Sequence, residues 1–309
     1  MTEKKERKKA QKVSELLQKD LPKNLFYLEP AILPKGGVML FGGEAKIFKS
    51  GIMIELARAL ATGTRPFDSE IFTVPKKARV LLVEQELGEN ELQKRLSHTL
   101  ARHKHVQFDE YLYYLSVVPD MQLNTPDGLG YLHEQIVSIK PNVVILDPIS
   151  MFHGYDENSN TEIGELFKRL AKIKESVPEL ELSFILSHHF KKPSTAKWNK
   201  PDPLTPYNFS GSQRWFNTPD TLVTFNRTKT LSDKSGWYLD SRWIPRRGKQ
   251  LDDITFIVKP EDEECQIRVF MGGNDVKKDE KPKRETKLPF VVSIEDEKKR
   301  RKQKDREID

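Results

Sequence analysis

Cysteine is nearly absent. Cys265 is the only one in 309 residues, so no intramolecular disulfide is available. Long apolar runs are missing as well. No stretch approaches the roughly 18 consecutive apolar residues of a membrane-spanning helix, and the first residues are charged rather than signal-like. A cytoplasmic protein without membrane contact is therefore expected. No Cys/His group has zinc-ligand spacing, which argues against a fused zinc-binding module, and no internal repeat is visible. Excess positive charge is scarce away from the ends. Residues 1–24 carry 8 Lys plus Arg against 4 acids and residues 274–309 carry 13 against 10, out of a chain total of +6. The intervening stretch is close to neutral, so the basic balance of the chain does not describe a broadly basic folded surface.

A glycine is also missing where phosphate chemistry would ask for one. Gly43-Glu44-Ala45-Lys46-Ile47-Phe48-Lys49-Ser50 matches the phosphate-binding loop G-x-x-x-x-G-K-[ST] except for the glycine before the lysine. In such a loop, backbone N–H groups at a helix N-terminus wrap phosphate oxygens. The lysine neutralises the outer phosphates and the hydroxyl ligates Mg2+. Phe48 puts a Cβ where bare backbone usually approaches the ligand. Two outcomes are open: a ring turned away from the phosphates, with Lys46 as a second cation, or weak nucleotide binding and lost hydrolysis. The surroundings have the required order. Residues 37–41 read as an apolar strand, and residues 52–61 have helical periodicity.

Three more apolar runs end on chemistry. Residues 142–147 suit a strand buried on both faces with Asp147 at its C-terminal edge, where a carboxylate can hold Mg2+ opposite Ser50. Residues 79–83 lead into Glu84-Gln85-Glu86, followed by a helical stretch from about Asn90 to His103. A carboxylate there can polarise an attacking water, but Glu84 and Glu86 lie on one face of an extended segment and the spacing does not choose between them. Residues 182–187 deliver His188-His189. Adjacent strand residues face opposite ways and no further ligand is near, so a contact to the γ-phosphate fits better than zinc.

In this order the pieces resemble a RecA-like ATPase core and, more narrowly, RepA-like plasmid and phage replicative helicases. The resemblance rests on Leu33-Pro34-Lys35-Gly36-Gly37, on Glu86 followed by Arg95-Leu96, and on Asp147-Pro148-Ile149-Ser150 continuing into residues 153–160. His188-His189 followed by Lys191 completes it; the similar stretch covers about residues 25–258. It implies an α/β fold with a mainly parallel sheet, antiparallel C-terminal edge strands and helices on both faces. It further implies Glu86 rather than Glu84 as the catalytic carboxylate, Asp147 as the Mg2+ acid, His189 as the γ-phosphate sensor, and ATP with Mg2+ as cofactors. Such enzymes resemble hexameric rings in which a neighbour donates an arginine; Arg214 is the first candidate here and Arg246 the second.

Residues 190–208 have no helical or strand period. Lys191, Lys192, Lys197, Trp198 and Lys200 lie there among prolines, and cations interleaved with an aromatic suit single-stranded DNA. Residues 221–225, 237–243, 254–258 and 266–270 extend the sheet. The domain plan is a basic N-terminal helix or arm (1–24), with Val13, Leu16 and Leu17 on one face, then the ATPase domain (25–273). A charged tail (274–309) follows, expected to be disordered around an apolar insert at residues 288–292. The expected activity is an ATP-dependent DNA translocase, a replicative helicase subunit with a replication-initiation partner. The alternatives are a RecA-type recombination ATPase and a nucleotide-sensing DNA-binding regulator.

Overall fold

The computed structural model describes residues 10–20, 24–101, 110–191, 202–259 and 266–270. His103, Lys192, Lys197, Trp198, Lys200, Cys265 and the 274–309 tail lie outside the described residues. The chain divides into units Met1–Met271 and Gly272–Asp309, and everything described belongs to the first. In chain order its elements are α1 (Val13–Leu17), β1 (Phe26–Leu28), β2 (Leu33–Pro34), β3 (Val38–Gly43), α2 (Lys49–Thr62), β4 (Val80–Glu84), α3 (Gly88–Ala101), β5 (Leu112–Ser116) and α4 (Pro126–Ile139). These continue with β6 (Val143–Asp147), α5 (Asn160–Ser176), β7 (Ser183–His189), α6 (Arg214–Asn217), β8 (Thr221–Thr230), β9 (Trp237–Pro245), β10 (Ile254–Lys259) and β11 (Gln266–Phe270).

Nine strands form one sheet in the order β11-β10-β9-β8-β3-β7-β6-β4-β5. The six from β8 to β5 pair in parallel, and β9, β10 and β11 extend the sheet antiparallel beyond β8. This is the α/β arrangement that a RecA-like core requires. Strands β3, β4 and β6 are buried on both faces, which is why their sequences read as unbroken apolar runs. Alternation then divides the core in two. Met39, Phe41, Ile145 and Ile185 join α2 on one face, while Leu40, Leu146, Phe184 and Leu186 join α4 and α5 on the other.

The helices flanking the sheet start and stop for local reasons. In α5, Ser159 caps the first turn by accepting from the Glu162 N–H, and Ile163, Leu166, Phe167, Leu170 and Ile173 form the buried stripe. Thr125 caps α4 in the same way, with Pro126 in the first helical position. Helix α2 is enclosed: every residue but Ser50 is buried, and Gly63 in a left-handed conformation closes its C-terminus. Among the described residues 10–20, Val13–Leu17 is helical, and Val13, Leu16 and Leu17 are exposed.

Among the described residues, no helix is long and apolar enough to cross a membrane, and no group of His, Cys, Asp and Glu side chains is placed to hold a metal ion by itself.

Candidate active site

The C-terminal ends of β3, β4, β6 and β7 meet at the start of α2, where an open parallel sheet places its ligands. From Gly43 the chain crosses Glu44, Ala45 and Lys46, all exposed, sinks Ile47 into the core and enters α2 at Lys49. Lys46 and Phe48 both have positive φ, at 61° and 80°. Phe48 therefore adopts the backbone that the missing glycine would have taken, at a cost of about 1–2 kcal/mol for a side-chain-bearing residue.

Packing offsets that cost. The Phe48 ring lies over Gly51, where an added Cβ would sit 2.0 Å from Phe48 Cε1, and meets Trp237 of β9 edge-on at 6.2 Å. The Arg95 guanidinium lies 5.8 Å from the ring centroid. The ring is thus held against α2, β9 and α3. Lys46 is exposed.

Lys49 is 7% exposed, and its ammonium folds back on the loop. It donates to the carbonyls of Gly43 (3.0 Å) and Glu44 (2.8 Å) and lies 3.4 Å from His189 Nδ1. Burial lowers its pKa to about 8, against the opposing pull of Asp147, Glu86 and Glu44. Burial and the Lys49 charge also push the His189 imidazole below its ordinary range, so the neutral ring accepts the lysine proton at Nδ1. An arriving phosphate would meet an ammonium whose present partners are weak neutral acceptors.

Asp147 ends β6 and is buried, which raises its pKa. Three groups oppose the rise: the Ser187 hydroxyl, which donates to the carboxylate, the nearby Ser50 hydroxyl, and the charge of Lys49. The sequence-derived pair Ser50 and Asp147 is therefore brought together. Ser187, which the sequence reading passed over, is a third member. Its signal was available, because it stands two residues before His189 and so on the same face of the strand.

The choice between Glu84 and Glu86 has a geometric basis. Glu84 is buried, and its two carboxylate oxygens accept from the backbone N–H groups of Glu86 (2.8 Å) and Leu87 (2.7 Å). It serves as a cap for the turn into α3. Glu86 is exposed, and its charge acts on both Lys49 and Asp147. The carboxylate free to meet water beside the loop is Glu86.

His188 and His189 face opposite sides of β7, as their adjacency requires. His188 is fully buried, donates through Nε2 to the Ser210 carbonyl (3.0 Å), stands 3.9 Å from Glu157 and packs on Trp215 at 4.3 Å. Burial lowers its pKa to about 4, so it is neutral there. The loop after β6 is bolted to the loop after β7 through Ser212, whose N–H donates to the Glu157 carbonyl (2.7 Å). Arg214 is exposed beside Gly164 of α5, whereas Arg246 donates to the Asn217 carbonyl. Lys191, the one described residue of the expected DNA contact, is exposed at the end of β7.

The model of the AAA domain family matches residues 3–195, more than half of the chain. Among solved structures, a KaiC-like protein from the hyperthermophilic archaeon Pyrococcus horikoshii is similar at 12% identity, over 77% of this chain and 91% of that chain, with a TM-score of 0.47. No curated protein matches the chain.

Proposed function

The chain belongs to the AAA domain family, and on that premise we propose that its nucleotide-hydrolysing domain drives a DNA translocase, a replicative helicase subunit moving on single-stranded DNA. The observation that carries this reading is the His188-His189 pair. His189 touches Lys49, while His188 is hydrogen bonded to the loop that follows β7 and lies beside the loop that follows β6. A change in phosphate occupancy at Lys49 displaces the end of β7, and both loops are anchored there. Lys191 opens, two residues later, the sequence segment that carries Lys192, Lys197, Trp198 and Lys200, the proposed contact to DNA.

Within the site, Lys49 binds the outer phosphates and Glu86 accepts a proton from the attacking water. The Ser50 hydroxyl and Asp147 carboxylate, close enough for the hydroxyl to influence the acid, form an all-oxygen donor pair that fits Mg2+. When bound, that ion neutralises charge on the phosphate oxygens. His189, neutral and in contact with Lys49, registers whether the γ-phosphate is present. Arg214 reaches the site of the next subunit in a hexameric ring, and a replication-initiation partner loads that ring.

The test is hydrolysis of ATP with and without single-stranded DNA by wild type, Lys49→Ala, Glu86→Gln and Phe48→Gly. DNA is expected to stimulate the wild type, and the first two changes to abolish turnover. Equal background hydrolysis in all four proteins would remove the catalytic assignment. Strand displacement by a hexamer supports the helicase; filaments on DNA would turn the reading to a recombination ATPase, and DNA binding without unwinding to a regulator.

A further inference from the structure

We propose that Ser187 is the positioning residue for Asp147, holding its carboxylate in the orientation that Mg2+ binding needs. The inference rests on the Mg2+-nucleotide reading above and deepens it. Sheet register supplies the first argument. Strands β6 and β7 run parallel with Leu146 opposite Leu186, so Asp147 and Ser187 are the next pair along, at the strand ends. Both point to the α2 face, because Ile145 and Ile185, two residues earlier, belong to the core on that face.

Burial supplies the second. Ser187 is 0% exposed and Asp147 4% exposed, and Ser187 Oγ donates to Asp147 Oδ1. Water has little access to replace that bond, so loss of the hydroxyl leaves a buried carboxylate one donor short. The other hydroxyl near the carboxylate, Ser50, lies at the start of α2 in the phosphate loop and is only half-buried. Ser187 instead sits in a central strand bonded on both sides, so its position is set before any ligand arrives. Groups that orient a metal-binding carboxylate in this way change metal affinity or activity by about 10–100-fold when removed.

Strand β7 contains its own control. Ser183 is equally buried, but its hydroxyl donates to the Pro34 carbonyl (2.9 Å) at the far end of the strand. Ser183→Ala should lower stability without touching Mg2+ dependence.

The experiment is calorimetric titration of the full chain with ADP, in EDTA and across a series of Mg2+ concentrations, followed by ATP hydrolysis over the same series. For Ser187→Ala, ADP affinity in EDTA should stay within about twofold of wild type, while the Mg2+ concentration giving half of its effect rises about tenfold. Hydrolysis should fall at low Mg2+ and recover towards wild type at high Mg2+. Ser187→Cys, which keeps the shape but donates weakly, should lie between the two. A Mg2+ response in Ser187→Ala that coincides with wild type, or one that shifts as far in Ser183→Ala, overturns the positioning role and leaves the metal reading standing. A wild type whose ADP binding is indifferent to Mg2+ overturns both.

Discussion

At Phe48 two costs oppose each other, and the balance is testable at a single neighbour. The positive φ of 80° penalises any side chain, whereas the ring fills the space above Gly51 and reaches Trp237. Phe48→Gly should relieve about 1 kcal/mol of backbone strain while losing about 1–3 kcal/mol of partly buried ring, for a small net loss. Gly51→Ala should cost about 1–3 kcal/mol in wild type, because its Cβ meets the ring. In the Phe48→Gly background the same change should stabilise by about 1 kcal/mol, since alanine suits a helix better than glycine. Urea unfolding of the four proteins measures the coupling, and equal effects of Gly51→Ala in both backgrounds would show that the ring does not occupy that space. Lys49 gives a second prediction at this scale. Its pKa of about 8 in the free site must rise when phosphate arrives, so the complex holds more protons than the free protein above pH 8. ATP affinity should therefore be flat from pH 7 to 8 and then weaken, approaching about tenfold per pH unit. Lys49→Arg should bind more weakly but without that slope. Flat wild-type affinity up to pH 9.5 would place the ammonium elsewhere.

Strands decided how much of this could be read in advance. Buried parallel strands announce themselves as apolar runs, so the ends of β3, β4, β6 and β7, and with them Lys49, the Glu84/Glu86 pair, Asp147 and the His188/His189 pair, were legible as positions from order and composition. The short edge strand β5 was not, because its residues are mostly half-buried and carry no such run. Roles that depend on partners were also hidden. Glu84 and Glu86 are equivalent by spacing, and only the two amide hydrogen bonds to Glu84 separate a turn cap from a free carboxylate. Trp237 read as part of an outer strand, yet antiparallel pairing of β9 with β8, which itself lies beside β3, carries it to Phe48. No local pattern encodes a contact made across two strand pairings. Ser187 lies between these cases: its face could be counted from His189, but its bond to Asp147 needs the β6–β7 register.

For the whole molecule, the open question is where each active site ends. Lys49, Ser50, Glu86, Asp147 and His189 come from one chain, and the described part of that chain brings no arginine to the phosphate loop except Arg95, which lies over Phe48 and pairs with Glu91. Arg214 is exposed, while Arg246 already serves the Asn217 carbonyl of its own chain. In the proposed head-to-tail ring each site would join Glu86 of one subunit to Arg214 of the next. Glu86→Gln and Arg214→Ala should each be inactive alone, for different reasons. Mixed in equal amounts and allowed to exchange subunits, they form interfaces at random, of which about a quarter join an intact Glu86 to an intact Arg214. Hydrolysis should therefore reappear on mixing, towards about a quarter of the wild-type rate per subunit if interfaces act independently. A residue acting within its own chain cannot give this result, because every subunit in the mixture then carries a defective site. Exchange demonstrated by fluorescence transfer between labelled subunits, with no return of activity, would exclude Arg214 as the donated arginine.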